Sequence, residues 1–259
     1  MLYPLTTLLL LPWLLWQGRR VRRDTPRLPE PDGPREGVSG SGTPLAVLMV
    51  GDSAAAGVGT RVQTQALSGQ LVQALAQRFQ VRWQLLARTG DSSADVCDRL
   101  AAQSPRPFDL ALVSVGVNDV TGRTTLRQWH RHLQQLTGLL QQRFGVREVV
   151  FTAIPPMHQF PALPQPLRWY LGRRAGQLNQ ALAQFCRDTG GCSLLQVPFP
   201  FEPGLMASDG FHPGEAAYAL WGQHGAELLA DLHVKALSGA PSGASSSALS
   251  GVTPAALAE

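Results

Sequence analysis

Lysine is almost missing from this 259-residue chain: Lys235 is the only one, so arginine carries the formal charge of +4. The scarcity excludes one large function class. A Walker-type phosphate loop needs a lysine after its glycines, and the glycine-containing stretch from Gly51 to Gly59 has none. Gly57-x-Gly59 likewise lacks the third glycine of a dinucleotide fingerprint. Outside one cluster the basic residues are scattered rather than interleaved with aromatics on one element, which gives no footprint for a nucleic-acid partner. Cysteine is scarce too. Cys97, Cys186 and Cys192 form an odd set, unsuited to a disulfide framework, and they read as reduced thiols. A Cys186–Cys192 pair across the Gly190-Gly191 turn is the alternative. Metal ligands are not patterned: His130 and His132 lie two apart on an expected helix and point in different directions. Both read as solvent-facing, and His158, His224 and His233 as structural.

Long apolar runs occur at one place only. From Leu2 to Gly18 the chain is charge-free and rich in leucine and tryptophan, and Arg19, Arg20, Arg22 and Arg23 follow directly. The run is short for a bilayer span, and Pro4 and Pro12 interrupt it. Its charges come after the apolar stretch, and no A-x-A site follows, so a cleaved secretory signal is disfavoured. The expectation is that residues 1–18 form a membrane anchor, with Trp13 and Trp16 at the interface. The arginines would then hold the rest of the chain on the cytoplasmic face of a bacterial-type membrane. Shallow interfacial anchoring competes with full spanning, and a buried arm packed on the domain is a further reading. Residues 19–44, basic and then rich in Pro and Gly, read as an extended solvated linker. Residues 236–259, mostly Ser, Gly and Ala, cannot bury enough apolar area to offset ordering entropy and read as a disordered tail.

Between these limits, residues 45–235 alternate short apolar runs with helical spacing. Strands are expected at Leu45–Val50, Val81–Ala87, Leu110–Val115, Val149–Ile154 and Ser193–Val197. Helices are expected at Gln65–Phe79, Ala94–Ala102, Leu126–Phe144, Leu167–Arg187 and from Pro213 to about His233. Such alternation predicts a three-layer α/β/α domain around a central parallel five-stranded sheet, of flavodoxin-like architecture.

In open parallel sheets ligands collect at the C-terminal ends of the strands. There the chain carries Gly51-Asp52-Ser53, then Thr89-Gly90-Asp91-Ser92, then Gly116-Val117-Asn118-Asp119, and finally Asp209-Gly210-Phe211-His212 before the last helix. Each alone has a plain explanation. Gly51-Asp52-Ser53 is equally a strand exit with a helix-capping serine, Asn118-Asp119 an Asx-turn and Asp209-Gly210 a turn. Ser92 reads as the cap of the helix that follows, and Asp119 as a residue shaping its own loop.

Taken in order, the four clusters resemble the nucleophile, glycine, asparagine and terminal Asp-x-x-His blocks of the SGNH (GDSL-like) hydrolase superfamily. The resemblance spans Gly51 to His212. It implies an ester hydrolase without cofactor or metal, in which Ser53 is the nucleophile, His212 its base and Asp209 the partner of His212. It also implies an oxyanion hole made by the backbone N–H of Ser53, the backbone N–H of Gly90 and the side-chain amide of Asn118. The substrate would be a small-molecule or lipid ester. Esterase, lipase, lysophospholipase, thioesterase and carbohydrate O-deacetylase activities all fit the pattern, and a non-catalytic membrane-tethered module with the same fold is the competing class. The proline-stiffened stretch from Pro155 to Tyr170, with Met157, Phe160, Leu163 and Trp169, reads either as an apolar acyl-chain wall or as a packed connection.

Overall fold

Uninterrupted apolar runs become buried strands. The computed structural model describes residues 2–198 and 203–239, and its sheet comprises β1 (Glu36–Ser39), β2 (Thr43–Gly51), β3 (Phe79–Ala87), β4 (Leu110–Ser114), β5 (Glu148–Thr152) and β6 (Cys192–Leu195). The strand order is β1-β3-β2-β4-β5-β6. Strands β2 to β6 are the five expected parallel ones. β4 and β5, at the centre, are buried along their whole length, as a strand covered on both faces must be.

Alternation along β2 divides the core into two layers. Leu45, Val47 and Met49 pack with Leu71, Tyr218 and Leu229, under α2 (Ser53–Ala56), α3 (Leu67–Leu75) and α8 (Glu215–Leu237). Leu48 and Val50 face Trp129, Leu136 and Leu178, under α4 (Ser93–Ala102), α5 (Val117–Gly122), α6 (Leu126–Gly138) and α7 (Leu167–Asp188). The helix expected to run to Phe144 changes to a π turn over Leu139–Arg143. Cys97, Cys186 and Cys192 are free thiols, and burial pushes Cys97 and Cys186 up to about 12.

The expected solvated linker is corrected. Glu30 accepts hydrogen bonds from Thr89 N and Oγ1 at 2.7 and 2.8 Å, Gln63 N donates to Asp32 O at 2.8 Å, and Glu36–Ser39 pair antiparallel with β3 as a sixth strand. The physical reason is the open edge of β3, whose backbone groups need partners. Extended backbone, which a Pro- and Gly-rich composition favours, satisfies them.

The N-terminal segment forms α1 (Leu2–Asp24) with Pro12 inside it. Leu14 and Gln17 are buried against the domain. Gln17 Nε2 donates to Gln165 O at 2.6 Å, and Gln17 Oε1 accepts from Leu167 N at 3.0 Å. The opposite side stays open, with Trp13 53% and Trp16 49% exposed. Among the described residues no helix is long and apolar enough to cross a membrane. At the other end, α8 continues to Leu237; residues 240–259 of the expected tail lie outside the described residues.

Candidate active site

Ser53 owes its position to the way β2 ends. Asp52 N donates to Ser114 O at 3.0 Å, and the Asp52 side chain caps α2 by accepting from Ala54 N at 3.0 Å. Ser53 is thus the first residue of a helix at the C-terminal edge of the sheet. Asp52 itself is buried, and burial raises its carboxyl pKa to about 7 despite the Ala54 N–H and the nearby His212.

The histidine arrives on a tight loop. Ala207 N donates to His212 O at 2.8 Å and Gly214 N to Leu205 O at 2.8 Å, which closes the loop ahead of α8. Within it Asp209 Oδ1 accepts from Phe211 N and His212 N, both at 2.9 Å. That Asx-turn fixes the carboxylate and leaves Oδ2 to His212 Nδ1 at 2.6 Å. On the far side of the ring, His212 Nε2 lies 2.9 Å from Ser53 Oγ. A carboxylate only accepts, so Nδ1 carries the proton and the Nε2 lone pair receives the Ser53 hydroxyl. Burial works to raise the Asp209 pKa. The bonds from the His212 ring and from the His212 and Phe211 amides outweigh it and hold the carboxyl below its usual range.

The donors expected for an oxyanion come from two further strand ends. Gly90 has φ +90°, and a Cβ there would meet nothing within 4 Å. Glycine is therefore required for its backbone conformation, while the space in front of it is open. Among the described residues neither Ser53 N–H nor Gly90 N–H donates to another protein group. Asn118 stands in the first turn of α5, and its Nδ2 donates to Asp91 O at 2.9 Å. An amide has two N–H groups, so one hydrogen orients the side chain and one remains. Gly116, just before, has φ +132° and approaches Ile154 so closely that a Cβ would lie 2.6 Å from its Cγ1.

Asp119, expected to shape its own loop, does so and also ties these blocks together, a link the sequence reading did not foresee. Buried Asp119 accepts from Ser93 N at 2.9 Å, Ser93 Oγ at 2.5 Å and Thr124 Oγ1 at 3.0 Å. It thereby joins the asparagine block to the start of α4. His132 Nδ1 reaches Ser93 Oγ at 2.8 Å, so its solvent-facing reading is corrected: the ring turns inward to an otherwise closed polar cluster. His130 is exposed, with its ring edge-on to Phe185. Ser92 is engaged elsewhere, in a capping box with Asp95, and its Oγ donates to Asp95 Oδ2 at 2.6 Å.

Of the two readings of the proline-stiffened loop, its burial supports the packed connection. Met157, Phe160 and Leu163 are buried in the core, and Phe160 also lines an apolar cavity beside Asp52 and Ala54 together with Ile154, Met206 and Trp221.

Residues 49–220 match the GDSL-like lipase/acylhydrolase family, a span that includes every residue of this constellation. No match is found among curated proteins. Among solved structures the chain is similar to Est24, a carbohydrate acetylesterase from Sinorhizobium meliloti, with 17% identity and a TM-score of 0.55 over 73% of this chain and 99% of that one. It is also similar to Axe2, an acetylxylan esterase from Geobacillus stearothermophilus, with 15% identity and a TM-score of 0.53 over 73% and 95%. A third is the psychrotrophic esterase EstA from Pseudoalteromonas sp., with 19% identity and a TM-score of 0.55 over 74% and 98%. At these identities the likeness is one of fold. The family match covers two thirds of the sequence and brackets all four polar clusters, so the chain belongs to the GDSL-like lipase/acylhydrolase family of ester hydrolases.

Proposed function

We propose that the protein hydrolyses carboxylic esters through an acyl-enzyme on Ser53. The observation that carries this reading is the unbroken relay Asp209–His212–Ser53, at 2.6 and 2.9 Å. As Ser53 Oγ attacks the ester carbonyl, its proton passes to His212 Nε2, and Asp209 stabilises the resulting imidazolium. The carbonyl oxygen becomes an oxyanion held by Ser53 N–H, Gly90 N–H and the second Asn118 N–H. Collapse breaks the ester C–O bond, and His212 returns the proton to the departing alcohol. Water then repeats the sequence on the acyl-enzyme and frees the acid.

A carbohydrate O-deacetylase is the second reading, favoured by the acetylesterase and acetylxylan esterase activities named for two structural neighbours. Turnover of p-nitrophenyl esters of graded chain length, set against acetylated sugars, separates the two. A general esterase follows chain length, whereas a deacetylase prefers acetyl sugars.

We also infer that α1 lies on the cytoplasmic surface of an anionic membrane. Its open side carries Leu9, Trp13 and Trp16, and an arginine-rich last turn follows in sequence, the composition of an interfacial helix. Co-sedimentation of the full chain with anionic vesicles, lost in Trp13→Ala/Trp16→Ala, tests it.

A further inference from the structure

Docking of α1 leaves a groove of about 470 Å³ between that helix and the domain, within the range of about 300–1,000 Å³ typical of small-molecule sites. Its walls are apolar: Leu14 and Leu15 on α1 face Leu167 and Leu171 on α7. Its lining also includes Asn118, the side-chain donor expected at the oxyanion, and Phe211, whose ring centroid lies 5.3 Å from that of His212. The groove thus lies beside the reacting centre, sharing Asn118 with it. Its rim carries Arg19, Arg22 and Arg123, and no Asp or Glu lines it.

The arginines differ in their pairing. Arg20 and Arg23 form ion pairs with Asp24 at 3.3 and 2.7 Å, whereas Arg19, Arg22 and Arg123 have no carboxylate partner among the described residues. The two unpaired members of the N-terminal cluster are the two that line the groove. Arg123 approaches from the other wall and is the only non-glycine residue of positive φ among the described residues, at 64°, a conformation uncommon for side-chain-bearing residues. An apolar slot with unopposed guanidinium groups at its rim suits one ligand chemistry, a single hydrocarbon chain bearing an anionic group.

We propose that this groove is the substrate site for an anionic, single-chain amphiphilic ester. The chain lies between α1 and α7, and the anionic group meets Arg19, Arg22 and Arg123. The proposal deepens the ester-hydrolase reading and rests on it for turnover, though not for binding. It also gives α1 a part in the site: the helix supplies one wall and two of the three cations.

The test uses the full chain. Ser53→Ala protein is titrated calorimetrically with dodecyl phosphate, dodecyl maltoside and inorganic phosphate, the amphiphiles below their micelle concentrations. Dodecyl phosphate is expected to bind at least about tenfold tighter than either of the others. Adding Arg19→Gln/Arg22→Gln/Arg123→Gln should bring the phosphate-to-maltoside ratio close to one, and because these side chains are exposed the exchange leaves the core untouched. In the enzyme with Ser53 intact, the kcat/KM ratio of lauroyl glycerol phosphate to monolauroyl glycerol should follow the same pattern; comparing ratios within one variant cancels any general loss. Equal affinity for the two amphiphiles, or a preference that survives the triple exchange, overturns the proposal. A chain that binds dodecyl phosphate selectively but turns over no ester, p-nitrophenyl acetate included, sinks the hydrolase reading and leaves the groove assignment standing.

Discussion

Asn118 Nδ2 donates one of its hydrogens to Asp91 O, 2.9 Å away, and that bond decides where the other points. The asparagine is held by the same loop that presents Gly90, so two of the three expected oxyanion donors move as a unit. Asn118→Ala is therefore expected to lower kcat by roughly a hundredfold with little change in KM, because the lost donor acts mainly on charge that develops in the transition state. Steady-state kinetics on a p-nitrophenyl ester checks this; an effect confined to KM contradicts the role.

The Asp209 carboxylate holds the His212 tautomer through Oδ2 while its other oxygen anchors the loop. Asp209→Asn keeps an acceptor for the Phe211 and His212 amides but turns an N–H toward Nδ1. The expected outcome is an intact fold by circular dichroism and a kcat lower by about 10³–10⁴. Turnover within tenfold of the parent enzyme would show that the carboxylate does not orient the base.

Asp52 gives a pH prediction with a definite sign. Its folded pKa, raised to about 7 from 3.8 chiefly by burial, means that the native state binds this proton more tightly than the unfolded chain does. Its contribution to stability is fully present below about pH 4, is lost as pH rises to about 7, and is constant above that. Asp52→Asn keeps the cap oxygen without the charge. Relative to the parent it should gain up to a few kcal/mol between pH 4 and 7, read from urea unfolding at each pH. A stability difference that does not vary over this window contradicts the argument.

Gln17 is the polar fastening of α1. Gln17→Ala leaves the buried Leu167 N–H without its partner, at a cost of about 1–3 kcal/mol, and should release the helix before the domain unfolds. Hydrogen exchange across residues 9–24 is expected to quicken while β4 stays protected; unchanged exchange in α1 would mean that Leu14 and its apolar neighbours suffice.

The parts of the fold that could be read from sequence are those set by local chemistry. Leu110 to Ser114 is apolar without a break and becomes a central strand. Ser92, with Asp95 three residues on, carries the capping signature that removes it from contention as a nucleophile. The parts that could not be read depend on what lies opposite in space. Glu36–Ser39 has no strand pattern of its own and pairs because the β3 edge is open. Gln17 looks like the flank of an apolar run until the loop at Gln165 to Leu167 is placed beside it. His132 finds Ser93 39 residues away in the chain, a separation that no local period encodes. The catalytic geometry lies between these cases, since residue types and order pointed to Ser53 and His212 while only the structure brings them within 2.9 Å.

The most direct test of the central claim is covalent labelling by a fluorophosphonate probe in parallel with p-nitrophenyl acetate turnover, for the parent chain, Ser53→Ala and Ser92→Ala. The Ser53–His212 bond at 2.9 Å and the capping of α4 by Ser92 predict that Ser53→Ala loses both label and turnover while remaining folded, and that Ser92→Ala keeps most of each. Label and turnover that persist in Ser53→Ala and vanish in Ser92→Ala would contradict the account.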